Sequence, residues 1–310
     1  MKRVLITGAN GFVGRHLCQH LLNHTDWYLI LLDQILDDEL CSKGRVTRLE
    51  GGLENAAIIE RALSFPLDIV FHLAALPGGA AEQNPGLSRE INLNATLDLL
   101  DGLGRQGNCP RVVYSSTIAV LGSPLPEVVD DQSPVRPRMI YGTHKAMIEL
   151  ALADYTRRNK LNSVAVRLPG IIARPFMPNG LKSAFLSNAF HHIAAGHRFT
   201  SPVSCEATMW LMSVQQCVKN LVHAARVSDN AIPTSRVVTL PAVRTTMQAL
   251  LETLLYQTGS SESLLEWQPD EDLEQDFGQQ PPLLTPVAEA AGFRSDQDLA
   301  SLVAAGLSLI

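Results

Sequence analysis

Positive charge, long apolar runs and internal repeats are scarce or missing in this sequence of 310 residues. Its 25 lysines and arginines stand against 31 aspartates and glutamates, for a formal net charge of -6 at pH 7. This balance excludes a generally basic nucleic-acid-binding protein and disfavours a protein that attaches to membrane surfaces by charge. No apolar run approaches the roughly 18 residues of a membrane-spanning helix. We therefore expect neither a nucleic acid nor a membrane as a partner.

Cysteine is also scarce. The five cysteines are odd in number, scattered along the chain and never spaced as Cys-x-x-Cys. Neither a disulfide framework nor a zinc site is therefore expected, and we predict no metal. The N-terminal segment runs into a glycine turn at Gly8, too early for a secretory signal peptide. These features together predict a protein of the reducing cytoplasm.

Short apolar runs alternate with segments of helical periodicity through the first half of the chain. The predicted strands cover residues 3–7, 28–32, 69–74, 112–116 and 163–168. The predicted helices between them cover residues 12–24, 58–63, 87–103 and 141–158. Alternating strands and helices, with strands that are apolar throughout, are typical of a parallel sheet covered by helices on both faces. The sequence therefore predicts an α/β protein with a Rossmann-type doubly wound sheet.

The second half of the chain is less regular. Prolines interrupt its short segments, and residues 260–286 are acidic and rich in proline, which predicts an irregular surface excursion. We expect a first domain over residues 1–168 and a smaller mixed α/β substrate-binding region over residues 169–310. Strands of this second region can return to the main sheet.

A glycine-rich turn joins the first predicted strand to the first predicted helix. It reads Gly8-x-x-Gly11-x-x-Gly14. Glycines at these places let the backbone turn tightly and approach a pyrophosphate, which the amides of the helix N-terminus then bind. As a bare pattern, the triplet equally fits a tight turn with no ligand. Its place at the start of a strand–helix–strand unit favours a dinucleotide, bound through Gly8, Asn10, Gly11, Phe12, Val13 and Gly14.

An acidic residue, Asp33, ends the second predicted strand. A carboxylate at this place accepts hydrogen bonds from the free ribose hydroxyls of NAD and repels the 2′-phosphate of NADP. Residues 33–35 include no lysine or arginine that would receive such a phosphate. We therefore predict NAD as the cofactor, with Gln34 as a further cofactor-binding residue. A solvated carboxylate without a ligand is the alternative, and Arg15 is the one residue that argues for a phosphate.

Tyr141 and Lys145 lie four residues apart in a predicted helix, and thus on one face of it. A free tyrosine has a pKa near 10, too high for a base at neutral pH. A neighbouring ammonium, together with the positive nicotinamide of an oxidised cofactor, favours the phenolate and lowers that pKa. Tyr141 is then able to take a proton from a substrate hydroxyl. The alternative is a surface tyrosine that stacks on a lysine side chain.

Hydroxyl groups follow the fourth predicted strand as Ser115-Ser116-Thr117. The carboxyl ends of strands open onto the crevice where α/β proteins bind ligands, so one of these hydroxyls is expected to hold the substrate oxygen. Capping of the following turn accounts for at least one of the three. Asn92, a polar residue early in an apolar helix, is expected to bridge that helix and the backbone of the active site.

The order of these motifs resembles that of the extended short-chain dehydrogenase/reductase family. The matching residues are Gly8-x-x-Gly11-x-x-Gly14, Asp33, His72-x-Ala74-Ala75, Ser116-Thr117 and Tyr141-x-x-x-Lys145. The resemblance implies that Thr117, Tyr141 and Lys145 are the catalytic residues and that Lys145 bonds the nicotinamide ribose. It further implies cofactor contacts from Leu53, Leu73, Ala74, Ala75, Asn92, Ser115, Pro169, Ile171 and Ile172. It also implies a homodimer, paired through the helices predicted at 87–103 and 141–158.

Several further stretches resemble members of this family that oxidise small sugar acids. They include residues 76–82, 124–131 and 210–213. The resemblance implies NAD-dependent oxidation of the C2 hydroxyl of a four-carbon aldonate to a 2-oxo acid. A carboxylate substrate needs a cation or a cluster of donors. Arg174 is the candidate cation, with Asn179 and Ser116 as further donors; a salt bridge between domains is the alternative role for Arg174.

Two other functions fit parts of the same pattern. A nucleotide-sugar epimerase or dehydratase would use the same cofactor-binding half with tightly bound NAD. A dehydratase of the family is expected to carry an Asp-Glu pair after Thr117, where this chain has Ile118 and Ala119. A dinucleotide sensor without catalysis is the third hypothesis, and the intact set of Thr117, Tyr141 and Lys145 argues against it.

Overall fold

The structure, a computed structural model, describes residues 1–41, 44–176 and 182–310. Its strands are β1 (Arg3–Thr7), β2 (Tyr28–Asp33), β3 (Val46–Glu50), β4 (Ile69–His72), β5 (Arg111–Thr117), β6 (Asn162–Leu168), β7 (Gly170–Ile172), β8 (Phe199–Ser201), β9 (Thr208–Ser213), β10 (Val237–Thr239), β11 (Val243–Thr246) and β12 (Leu265–Trp267). Its α-helices are α1 (Phe12–His24), α2 (Asp38–Cys41), α3 (Ala56–Leu63), α4 (Gly78–Gln83), α5 (Pro85–Ser88), α6 (Thr96–Gln106), α7 (Ile140–Arg157), α8 (Phe185–Ala194), α9 (Val214–Ala224), α10 (Met247–Thr258), α11 (Glu271–Phe277), α12 (Pro286–Ala290) and α13 (Leu299–Leu307).

The main sheet confirms the predicted Rossmann-type architecture. It has seven strands in the order β3-β2-β1-β4-β5-β6-β10, and every neighbouring pair is parallel. The first six follow the order 3-2-1-4-5-6 of doubly wound dinucleotide-binding sheets. Strand β10 belongs to the second half of the chain and pairs with β6 through Val237, Val238 and Thr239.

Both faces of this sheet are covered, which explains the unbroken apolar runs. Side chains alternate between the two faces of a strand, so Val4 and Ile6 pack on one side and Leu5 on the other. The first side packs against α1 and α9, and the second against α3, α6 and α7. Because Val4, Leu5 and Ile6 of β1 are fully buried, this part of the strand is apolar and not alternately polar.

The second half of the chain builds smaller sheets and a core of its own. Strands β11, β9 and β7 form one sheet, and β12 pairs with β8. Their core includes buried side chains of α8, α10 and α13. Residues 260–286, predicted to be irregular, contain strand β12 and helix α11. Within the described residues, no helix combines the length and apolarity needed to cross a membrane.

Candidate active site

A cavity of about 470 Å³ opens at the carboxyl ends of β1, β2 and β4. This is the edge where doubly wound sheets bind their ligands. The predicted cofactor residues that line it are Gly8, Asn10, Gly11, Asp33, Gln34, Leu53, Leu73, Ala74 and Ala75. Seven further lining residues were not predicted as cofactor contacts, and these are Leu32, Ile35, Gly51, Glu54, Leu76, Pro77 and Ile91. Each follows a strand or lies near a residue that was predicted, so proximity along the chain was the available signal.

The glycine turn fits a ligand that must approach the backbone closely. Gly8 has a φ of +70°, and a Cβ on it would lie 2.7 Å from the amide nitrogen of Ala74. A Cβ on Gly14 would lie 2.0 Å from the carbonyl oxygen of Gly8. The turn leads into α1, whose N-cap residue Gly11 offers no side-chain cap. The amides of Phe12, Val13 and Gly14 open this helix, where backbone N–H groups have no partner within the helix.

Asp33 anchors the rim of the cavity. Its carboxylate accepts hydrogen bonds from the backbone N–H of Asn10 at 2.8 Å and of Gln34 at 2.7 Å. Each carboxylate oxygen can accept a second hydrogen bond, so the group retains capacity for ribose hydroxyls. Arg15, the residue that argued for a phosphate, forms an ion pair of 2.8 Å with Asp37 and donates to the side chain of Asn10 at 3.1 Å. A carboxylate therefore already partners this cation.

Lys145 is 1% exposed and lies between two aromatic rings. Its Nζ donates a hydrogen bond of 2.6 Å to the carbonyl oxygen of Ser115. The same nitrogen lies 4.4 Å from the ring centroid of Tyr114 and 5.6 Å from that of Tyr141. Burial lowers the pKa of Lys145 to about 7, and the carboxylate of Glu149 acts in the opposite direction. The ammonium and the phenol are thus brought together as predicted.

The pKa of Tyr141 departs from the expectation drawn from its spacing to Lys145. Burial raises the pKa of Tyr141 to about 12, and the guanidinium of Arg174 opposes this rise. Desolvation disfavours the charged phenolate and outweighs the cation. The protein's own groups therefore do not make this phenol acidic.

The three consecutive hydroxyls point in different directions. Ser115 donates to the carbonyl oxygen of His72 at 3.1 Å, and Thr117 Oγ1 accepts the N–H of Ala119 at 3.2 Å. Ser116 donates to Glu149 at 2.5 Å and is 2% exposed. Because alternate residues of a strand face opposite sides, Ser116 points away from the face that carries Ser115 and Thr117. This geometry does not support Ser116 as a donor to the substrate.

The first turn of α7 lies against the turn that follows Thr117. A Cβ on Gly142 would lie 2.6 Å from the carbonyl oxygen of Ala119. The opposite side of this helix start faces α4, since a Cβ on Gly78 would lie 3.9 Å from the ring of Tyr141. Tyr141 is therefore held beside the end of β5, where Thr117 lies, by close backbone packing that only glycine permits.

Asn92 hydrogen-bonds the backbone of Leu76, in the loop after β4 that lines the cavity. It lies in a π-helical segment, Arg89–Ala95, between α5 and α6, and such segments are frequent at functional sites. Its side chain accepts the N–H of Leu76 at 2.7 Å and donates to the Leu76 carbonyl oxygen at 2.9 Å. The predicted bridge between helix and site backbone is thus observed at Leu76.

His72 is a buried structural residue. Its ring bonds the hydroxyls of Thr7 at 2.7 Å and Thr96 at 3.0 Å. Burial, with the charge of Lys145, lowers the pKa of His72 to about 3. The ring is therefore neutral at physiological pH. The Thr7 hydroxyl also accepts the N–H of Ala74 at 3.3 Å, which ties the cavity wall to β1.

The residues predicted to face the nicotinamide and the substrate follow β6. Pro169 is buried, the side chains of Ile171 and Ile172 lie in hydrophobic cores, and the backbone of these two residues pairs with β9. Arg174 donates through Nε to the carbonyl oxygen of Ile171 at 3.1 Å, and its charge acts on Tyr141. Asn179 lies outside the described residues.

Comparison with known proteins decides the family. Residues 4–238 match the family described as "NAD dependent epimerase/dehydratase family". The chain belongs to the NAD-dependent epimerase/dehydratase family. The predicted resemblance to extended short-chain dehydrogenases/reductases is confirmed, and the protein is an NAD-dependent oxidoreductase of that class.

Relatives within the epimerase/dehydratase family include named dehydrogenases. The chain is 33% identical to D-erythronate dehydrogenase of Cupriavidus necator, with 97% of each chain covered. It is also 33% identical to D-erythronate dehydrogenase of Haemophilus influenzae, over 85% of this chain and 84% of that protein. A solved structure, titled a nucleoside-diphosphate-sugar epimerase from Agrobacterium tumefaciens, is 29% identical and superposes with a TM-score of 0.90, covering 97% of this chain and 92% of that one.

Proposed function

We propose that this protein oxidises the C2 hydroxyl of a small sugar acid, a D-erythronate-like aldonate, to the 2-oxo acid. The observation that carries the proposal is the 33% identity over 97% of both chains to a D-erythronate dehydrogenase. The arrangement of Tyr141, Lys145 and Arg174 beside the end of β5 supports it, because it offers a phenol for the hydroxyl and a cation for the carboxylate.

The cofactor of the proposed reaction is NAD, which when bound accepts the hydride that leaves C2 of the substrate. Gly8 lines the cavity without a side chain, which fits a dinucleotide close to its backbone, and the carboxylate of Asp33 at the rim fits a free ribose diol. The residues assigned to hold it are Gly8, Asn10, Gly11, Phe12, Val13, Gly14, Asp33, Gln34, Leu53, Leu73, Ala74, Ala75, Ser115, Tyr141 and Lys145, with backbone contacts at Pro169, Ile171 and Ile172. Asn92 contributes through the loop at Leu76.

Tyr141 is the proposed base. Its phenolate takes the proton of the C2 hydroxyl as the C2–H bond breaks and a carbonyl forms at C2. Thr117 accepts or donates a hydrogen bond at the same substrate oxygen and fixes its direction. Arg174 stabilises the phenolate, which burial disfavours. The proposal adds Lys145, whose Nζ lies 5.6 Å from the ring centroid of Tyr141.

Arg174 has a second task in this proposal. Its guanidinium is suited to bind the carboxylate of an aldonate through two parallel hydrogen bonds. Binding the carboxylate beside Tyr141 would bring C2, the adjacent carbon, next to the phenol. The Nε hydrogen bond to the Ile171 carbonyl fixes the base of the side chain.

A nucleotide-sugar epimerase is the second candidate, favoured by the solved structure of that title at 29% identity. An epimerase returns its cofactor to the oxidised form in each turnover, so it accumulates no NADH. A dehydratase is disfavoured, because Ile118 and Ala119 provide no acid or base after Thr117.

NADH formation across a panel of four- to six-carbon aldonates, measured beside nucleotide sugars, tests the proposal. We expect net NADH with a four-carbon aldonate and none with the nucleotide sugars. In Arg174→Met, the KM for the aldonate should rise roughly 10- to 100-fold, the range set by losing one charged pair of about 1.5–3 kcal/mol, whereas NAD affinity should persist. Epimerised nucleotide sugar without NADH would contradict the proposal.

A homodimer forms part of the same proposal. Helix α7 exposes Met147 and Leu150, the latter 75% exposed, and exposed apolar side chains on one helix suit pairing with a second copy. Sedimentation of the wild type should give a dimer, and Leu150→Glu should shift it toward the monomer. A monomeric wild type would contradict this part.

A further inference from the structure

A buried ion-pair network lies behind Lys145. Glu149, 4% exposed, accepts hydrogen bonds from Arg167 at 2.9 Å and 2.8 Å, one to each carboxylate oxygen. It also accepts the hydroxyl of Ser116 at 2.5 Å. The carboxylate thereby joins α7 to β5 and β6. Three hydrogen bonds fix its position in a buried place.

The network lies one helical turn from the ammonium it can influence. Lys145 and Glu149 are four residues apart on α7, so their side chains lie on one face. Ser116, which donates to Glu149, follows Ser115, whose carbonyl oxygen accepts from Lys145. Both bonds thus run from α7 to adjacent residues of β5. They tie the carboxylate and the ammonium to the same short stretch of the strand.

The charged and titratable groups that face Lys145 are few and come from four elements. They are Tyr141 and Glu149 on α7, Tyr114 on β5, His72 on β4 and, through Glu149, Arg167 on β6. The tyrosines are neutral, since burial raises the pKa of each. His72 is neutral as well, with a pKa of about 3. Among these groups, Glu149 is the anion.

We propose that Glu149 is a positioning residue: held between Ser116 and Arg167, its carboxylate favours the ammonium form of Lys145 and its hydrogen bond to the Ser115 carbonyl. The inference deepens the proposed function and rests on its assignment of Lys145 as the cation beside the base. Glu149 touches neither substrate nor cofactor in this role and acts through Lys145. Arg167 balances its charge, so the proton affinity of Lys145 depends on both partners.

The direct test follows the protonation of Lys145 in the cofactor-free protein. The chain has six lysines, so selective isotope labelling of lysine gives few NMR signals, and Lys145→Met assigns the relevant one. In the wild type we expect a midpoint at about 7. Glu149→Gln keeps the size and the acceptor atom but removes the charge, and should lower the midpoint by about one pH unit. Arg167→Met should move it upward.

A matched control lies on the same helix. Asp154 is an exposed carboxylate that pairs with Arg157 and Arg158, and Asp154→Asn makes the same change of charge and chemistry as Glu149→Gln. Asp154→Asn should leave the Lys145 midpoint in place. If Glu149→Gln does not fold, the double variant Glu149→Gln/Arg167→Met removes both charges, which a buried pair tolerates better than the loss of one partner. In that variant the midpoint should still lie below the wild-type value.

Turnover gives a second readout. In Glu149→Gln, the high-pH limb of the kcat/KM profile should move to lower pH together with the NMR midpoint, whereas a structural defect would lower the rate equally at every pH. An unmoved midpoint in folded Glu149→Gln, or a downward shift in Arg167→Met, would overturn the inference. Full turnover by Lys145→Met would instead overturn the assignment of Lys145 in the proposed function, while the midpoints would still report on Glu149.

Discussion

The ammonium nitrogen of Lys145 donates a 2.6 Å hydrogen bond to the carbonyl oxygen of Ser115, two residues before Thr117 on strand β5. This contact ties the helix that carries Tyr141 to the strand that carries Thr117. It also places a cation where almost no water reaches it, since Lys145 is 1% exposed. Burying an ionisable group costs stability. Such groups are frequent at functional sites, where the chemistry uses them.

Replacing this lysine should change how stability depends on pH. The pKa of Lys145 falls from its ordinary 10.5 to about 7 in the folded protein. Between these values the unfolded chain binds a proton that the folded protein does not, so the free energy of unfolding rises with pH. Lys145→Met lacks this dependence and should gain stability over the wild type below pH 7, by an amount that shrinks at about 1.4 kcal/mol per pH unit toward pH 10.5.

Urea unfolding of the cofactor-free protein at several pH values measures this difference. Lys160→Met, a change at an exposed lysine, serves as the control and should follow the wild type at every pH. If the free energy of unfolding depended on pH in the same way in Lys145→Met and in the wild type, burial would not shift the pKa of Lys145.

A methyl group on Gly8 should distort the glycine turn that is proposed to bind the cofactor. Alanine at this position would meet the Ala74 amide nitrogen at 2.7 Å and adopt a φ of +70°. Gly259 has a similar φ of +68° and nothing within 4 Å of an added Cβ. Gly259→Ala should therefore cost only the strain of a left-handed alanine, roughly 1–2 kcal/mol, and leave NAD binding intact.

Gly8→Ala should lose more stability than Gly259→Ala and weaken NAD binding at least about 10-fold, or 1.4 kcal/mol. Calorimetric titration with NAD and chemical unfolding of both variants provide the comparison. Equal NAD affinities in the two variants would mean that the turn at Gly8 does not approach the cofactor.

Carboxylates at the cavity rim should set the choice between NAD and NADP. Asp33 lies at the rim, and Asp37 pairs with Arg15 at 2.8 Å. Asp37→Asn leaves Arg15 without its anionic partner and should raise the kcat/KM for NADP relative to NAD by roughly 10-fold, which corresponds to about 1.4 kcal/mol. Adding Asp33→Asn should raise the ratio further.

Asp38→Asn is the matched control for this prediction. Asp38 is the next residue, exposed and paired with Arg48, so its change removes the same charge without releasing Arg15. The ratio of the two cofactors should stay at its wild-type value in Asp38→Asn. If the ratio of kcat/KM for NADP to that for NAD were also unchanged in the variants at Asp33 and Asp37, these carboxylates would not determine the choice of cofactor.

The strands of the main sheet were predictable because they are buried on both faces. Strand β1 and helix α1 have the predicted bounds. Strand β3 was not predicted, because Val46–Glu50 lies at the sheet edge and carries polar and charged side chains. Strands β7, β8, β9, β11 and β12 were also missed. All but β9 are only three or four residues long, too short for a side-chain alternation to be recognised.

The arrangement of site residues was predictable where they lie on the same helix or strand. The spacing of Tyr141 and Lys145 places them on one helix face, and the structure brings them together. Side chains alternate between the two faces of a strand, which is enough to predict that Ser116 and Thr117 face opposite sides of the sheet. The pairing of Glu149 with Arg167 and the raised pKa of Tyr141 depend on contacts between elements and on burial, which spacing along the chain does not reveal.

Turnover by Tyr141→Phe, measured beside its affinity for NAD, tests the central claim most directly. The substitution removes one oxygen and leaves the ring beside Lys145. We predict that NADH formation from a four-carbon aldonate falls by roughly 10²–10⁴-fold, the range for losing a positioned acid–base group, while NAD binds with wild-type affinity. Undiminished turnover in Tyr141→Phe would contradict the assignment of the phenol as the base.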